Sequence, residues 1–105
     1  MIREASSSSE LIIKLVADAL RRGGNELDVE YKDGYESVSV MKANVGVGIA
    51  AIPSSGDEAR ELRKRLYAMT KKRETISIQG KSYRLKTEIY DSFGEDAFRV
   101  SIHEK

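Results

Sequence analysis

No cysteine or tryptophan occurs in this 105-residue chain, and there is one proline and one histidine. Without cysteine there is no disulfide framework, no thiol nucleophile and no thiolate-bound zinc. That absence fits a reducing compartment, and the expected location is the cytoplasm. A lone proline, Pro53, leaves no room for long rigid linkers. The single histidine, His103, lies two residues from the end and is badly placed as a ligand cluster or a catalytic base. No apolar run approaches the ~18 residues of a membrane span. The opening MIREASSSSE has no apolar stretch of signal-peptide length. Charge of one sign is missing too: 18 basic residues face 17 acidic ones, for a net charge of +1. That balance argues against a dedicated nucleic-acid binder.

The composition that is present, 40% hydrophobic and 33% charged, is that of a folded domain. Residues 1–105 are expected to form one domain, with residues 1–6 frayed. Ser7 and Glu10 have capping-box spacing. Ile12, Leu15, Val16, Ala19 and Leu20 then mark one helical face. Arg21 and Arg22 suit the helix C-terminus, and Gly23-Gly24 can end it. Leu27, Val29 and Tyr31 alternate with charged residues, as in a strand with one wet face. Asp33-Gly34 predicts a hairpin, and Tyr35 to Met41 the return strand. After a turn at Lys42-Ala43-Asn44, a third strand alternates Val45, Val47, Ile49 and Ala51 with Gly46, Gly48, Ala50 and Ile52. Glycines in a strand point to a bulge or to close approach of another group.

Pro53 to Gly56 breaks the pattern, and Ser54 or Ser55 is expected to cap a second helix. Its apolar stripe is Ala59, Leu62, Leu66 and Met69, followed by a basic exit turn at 70–73. Three more strands are expected, around Thr75–Gln79, Tyr83–Ile89 and Phe98–Ile102, joined at Gly80-Lys81 and at residues 91–94. The order is αβββαβββ, an α+β fold with a mostly antiparallel sheet and two helices on one side.

Chemistry-bearing motifs are few. There is no G-x-S-x-G elbow and no G-x-x-x-x-G-K-[ST] phosphate loop. Glu95-Asp96 would act as an acid/base pair only if a cleft were brought to them. The row Glu26, Asp28, Glu30 is a cation chelator only in a suitable cage. No cofactor or metal is expected. The best candidate interaction surface is the basic stretch Arg60, Arg63, Lys64, Tyr67, Lys71, Lys72 and Arg73. It is diluted by Asp57, Glu58, Glu61 and Glu74, and Tyr67 is the one aromatic nearby. The alternative use of the same segment, 60–73, is nucleic-acid or nucleotide binding.

Three segments carry a resemblance. LIIKLVADALRRGGNELDVEYKDGY resembles the helix–strand entry of the type II secretion and type IV pilus-assembly ATPases, with Ala19, Leu20, Gly23, Leu27, Val29 and Glu30 on matching positions. ARELRKRLYAMTKKR is similar to a later helix of that family through Leu62, Arg65, Leu66 and Met69. GKSYRLKTEIYDSFGEDAFRVSI matches a third segment at Gly80, Lys81, Tyr83, Leu85, Gly94 and Glu95. The resemblance covers residues 9–103 and implies the family's N-terminal PAS-like domain, without its motor domain. The family's Ser-Asp-Ile-His is Asn25-Glu26-Leu27-Asp28 here, and its arginine-rich strand is Glu36 to Met41. Lys86 stands where a family arginine reaches nucleotide, and a lysine lacks the bidentate fork. The resemblance therefore implies a non-enzymatic module acting by protein contact. The expected partner is a protein, a second copy of the chain or a component of a secretion or pilus apparatus. The surfaces to inspect are the small-residue strand 45–51 and the stripe Ala59-Leu62-Leu66.

Overall fold

A computed structural model describes residues 7–105, and of residues 7–10 the backbone alone. The expected fraying of residues 1–6 and the Ser7/Glu10 capping box lie outside what is described. The chain forms α1 (Ser7–Arg21), β1 (Glu26–Lys32), β2 (Tyr35–Lys42), β3 (Val45–Pro53), α2 (Asp57–Lys71), β4 (Glu74–Ile78), β5 (Lys81–Ser92) and β6 (Glu95–Glu104). This is the expected α+β order. All six strands join one antiparallel sheet in the order β3-β2-β1-β6-β5-β4. The two halves meet where β1 pairs with β6, Leu27 opposite Val100. Helix α2 carries the chain from one sheet edge, β3, to the other, β4.

The hairpins share one device. Asp33-Gly34, Ala43-Asn44, Gln79-Gly80 and Phe93-Gly94 each place two successive residues at positive φ, between 50° and 88°. Two-residue turns of that kind match the right-handed strand twist and pin the register of the strands they join. The two later hairpins are therefore tighter than their sequence reads. Strand β5 runs three residues past Ile89, and β6 begins at Glu95, three residues before Phe98.

The end of α1 explains its double glycine. Gly23 takes φ +80°, and the Gly24 amide donates to the Ala19 carbonyl at 3.0 Å. A Cβ on Gly24 would collide with Val40 Cγ1. One glycine supplies a conformation and the other supplies space. Helix α2 departs from expectation at its start: Gly56 is the N-cap and no side chain caps it. Ser54 is engaged elsewhere, donating from Oγ to Glu36 at 2.7 Å. Asp57 and Glu58 in the first turn supply negative charge to the helix dipole instead.

Both helices cover one sheet face. Ile12, Leu15, Val16 and Ala19 of α1, and Ala59, Leu62, Leu66 and Met69 of α2, meet inward strand residues such as Val29, Val38, Leu85, Phe98 and Val100. The stripe Ala59-Leu62-Leu66 is thus fully buried against the protein's own sheet, which excludes it as a partner surface. The sheet is wider and longer than the two helices. Tyr31, Val45 and Val47 continue the inward rows of their strands yet stay 45–62% exposed, because no helix reaches them.

Candidate functional site

The acidic row of β1 is neutralised from within. Arg99 Nε lies 2.8 Å from Glu26 Oε2 and 3.2 Å from Asp28 Oδ1. These contacts hold the Arg99 guanidinium above its usual pKa, the hydrogen bond to Asp28 being the main cause. Glu30 accepts a hydrogen bond from Ser92 Oγ at 2.7 Å. The three carboxylates face arginine and serine donors, an ion-pair network rather than a cation cage. Tyr90 stacks on the Arg99 guanidinium, 4.8 Å from ring centroid to Cζ. Burial raises the Tyr90 pKa, and Asp28 and Glu30 add to the effect.

Glu95 and Asp96 sit at the start of β6, and His103 near its end. Seven residue steps of extended strand separate Asp96 from His103, roughly 23 Å. The fold does not bring His103 to the two acids, but Glu95 and Asp96 do line a hollow of about 410 Å³ with Tyr31, Glu36, Arg63 and Tyr67.

The basic stretch of α2 divides. Arg60 pairs with Asp57 at 2.6 Å on the surface. Arg63 Nη1 lies 2.9 Å from Glu36 Oε2, and Glu36 is only 4% exposed. Sequence reasoning missed Glu36, although its parity with Val38 and Val40 on β2 marks it as inward. Arg65 binds Glu74 bidentately, both contacts 2.6 Å. Tyr67 donates to Asp96 at 2.5 Å and stands edge-on to Phe98, centroids 4.9 Å apart. The hydrogen bond to Asp96 raises the Tyr67 pKa, with a smaller contribution from burial. These side chains hold α2 onto the sheet. Lys64 is exposed and enters no ion pair among the described residues.

Lys71, Lys72 and Arg73 lie at the far end of α2 and join residues that the sequence left apart. Arg73, Arg84, Lys86, His103, Glu104 and Lys105 line a hollow of about 510 Å³. A second hollow, about 360 Å³, includes Thr70 to Arg73, Lys86, Thr87 and Glu88. Arg73 and Lys86 belong to both. Register explains the grouping: Arg84 pairs across strands with His103 and with Thr75, and Lys86 with Ser101. All these strand residues point away from the helices. Alternate basic residues on β5 were the available signal, hidden because the neighbouring strands were unknown.

The third feature is β3. Its nine residues, VGVGIAAIP, hold no charge and form an outer edge of the sheet. A bulge sets Ile49 out of register, between the pairs Val38–Ala50 and Ser39–Gly48. Gly46 and Gly48 face away from the helices and are exposed. A Cβ on Gly48 would meet nothing within 4 Å. Close approach within the molecule therefore does not explain that glycine.

No known protein-family model matches this sequence, and no curated protein matches it at a significant level.

Proposed function

We propose that this chain is a non-enzymatic interaction module that pairs with a second copy of itself along β3. The observation that carries the reading is the charge-free, nine-residue edge strand with Val45 and Val47 exposed at 62% and 47%. Edge strands of monomeric proteins are usually blunted by charge, proline, a bulge or a short length, and β3, although it bulges at Ile49 and ends in Pro53, carries none of these over Val45 to Gly48. Here the opposite edge, β4, is five residues long and begins with Glu74. In a two-fold pairing each strand meets its own copy, so a charge near the axis would face its like. An edge without charge avoids that repulsion, and Val45 and Val47 would cover each other where neither helix reaches. A single strand pairing buries little area, so the dimer belongs to the weak class below ~1,200 Å². Kinship with the N-terminal PAS-like domain of the secretion and pilus ATPases, and a role beside such an apparatus, rest on the matched positions around Gly23, Leu66 and Gly80.

Sedimentation velocity over a concentration series tests the pairing. The expected outcome is a monomer–dimer equilibrium that Val47→Lys abolishes while circular dichroism stays unchanged. A wild-type chain that remains monomeric up to ~1 mM would overturn it, since that concentration corresponds to a pairing free energy of only about −4 kcal/mol.

A further inference from the structure

We infer that the helix-exit end of the sheet binds the phosphodiester backbone of nucleic acid, without reading its bases. The site lies on β5, β6 and the α2–β4 turn, at the sheet edge opposite β3, and stands independently of the pairing proposed above. Its cations are Lys71, Lys72, Arg73, Arg84 and Lys86. Among the described residues, no carboxylate pairs with the first four. Lys86 touches Glu88 only loosely, at 3.8 Å with both side chains about half exposed. The nearby Glu104 is turned toward Lys81, at 3.9 Å.

Two observations select the ligand. First, the cations border two hollows that share Arg73 and Lys86, so the positive surface is an extended track. A track suits a chain of phosphates better than a single one. Second, its exposed rim carries no tyrosine, phenylalanine or large aliphatic side chain, and His103 is its one ring. There is nothing to enter a bilayer and no apolar anchor of the kind a protein interface needs, while a base can lie against His103 or an arginine without its sequence being read. The near-zero net charge conceals this surface: Glu88 and Glu104 are the acids at the two hollows, and most of the others lie on β1, on α2 and at the hairpin ends.

Fluorescence anisotropy with labelled single-stranded DNA, single-stranded RNA and duplex DNA of mixed sequence provides the test. With about five phosphates neutralised, log K on a single strand should fall against log salt with a slope of about −3.5. That corresponds to roughly a hundredfold loss between 50 and 200 mM salt. The double variant Arg73→Gln/Arg84→Gln should lower the slope by about 1.4 and weaken every oligonucleotide alike. Lys71→Glu/Lys72→Glu should abolish binding. Arg60→Gln, on the paired part of α2, should leave it unchanged. The inference is overturned if no oligonucleotide binds at 50 mM salt, or if Arg60→Gln weakens binding as much as the double variant. Capture of anionic vesicles or polyglutamate in preference to all three oligonucleotides would overturn it as well.

Discussion

Arg63 and Arg65 on one hand, and Arg73 and Arg84 on the other, are chemically identical side chains within 21 positions of one another, with opposite fates. The first two are closed into the fold by Glu36 and Glu74. The second two enter no ion pair among the described residues and open onto solvent. The difference lies in what each faces. Helix α2 lies over the sheet between β3 and β5, so its basic residues meet carboxylates that β2 and β4 turn toward the helix layer. Past Lys71 the chain leaves that layer and meets Arg84, Lys86 and His103, with Glu88 and Glu104 the nearby acids, neither of them paired with Arg73 or Arg84. A count of basic residues along α2 therefore overstates the helix as a binding surface and understates the sheet beside it.

The comparison breaks most readily at Glu36. Arg63→Ala leaves a carboxylate buried without its partner and is expected to destabilise the protein by about 2–3 kcal/mol in urea unfolding. Replacing both residues by leucine should recover most of that loss, because the desolvation of the pair disappears with its attraction. If the double variant is as unstable as the single one, Glu36 is held for some other reason. A smaller effect, about 1 kcal/mol, is expected for Arg65→Ala, since the bidentate pair with Glu74 is partly exposed. Arg65→Lys should recover only part of it, because an ammonium cannot form the two parallel bonds.

Tyr67→Phe should lower stability by only about 0.5 kcal/mol near neutral pH, the bond to Asp96 being largely exposed. Its clearer signature is in alkali. The raised Tyr67 pKa means that the folded state keeps the phenolic proton after the unfolded state has lost it. Stability from this group is complete below its ordinary value of 10.0 and declines as pH rises through the raised value. Tyr67→Phe should flatten that alkaline limb, read as unfolding midpoint against pH, and Tyr90 should supply the remainder. Smallest of all, Arg73→Gln and Arg84→Gln should each shift stability by no more than about 0.5 kcal/mol. Should Arg84→Gln unfold the protein as Arg63→Ala does, the division between structural and available arginines fails.

Much of the fold was legible in advance. Residues 12–20 and 59–69 mark their apolar stripes by spacing, and Asp33-Gly34 marks its hairpin by residue type. The less obvious turn pairs Gln79-Gly80 and Phe93-Gly94 use a residue that tolerates positive φ poorly beside a glycine that adopts it freely, so the strands ran longer than their patterns. Coverage was not legible. Tyr31, Val45 and Val47 obey the inward alternation of buried residues, yet lie where the sheet outruns its helices. Alternation reports which face a residue occupies, and the extent of the covering layer decides whether that face is dry.

The candidate sites show the same limit. Ser54 and Glu36 are 18 positions apart, Arg63 and Glu36 27, Ser92 and Glu30 62, and Arg99 and Asp28 71. Helix stripes, turns and strand parity arise from backbone conformation over a few residues, and the amino-acid order by itself determined them. Strand order did not follow from any local signal. The placement of β1 beside β6, and of Arg84 beside His103, depended on α2 crossing the sheet so that both halves could bury their inward rows together. Only that tertiary arrangement decided which arginines are paired, which glycines face solvent, and where the unpaired positive charge collects.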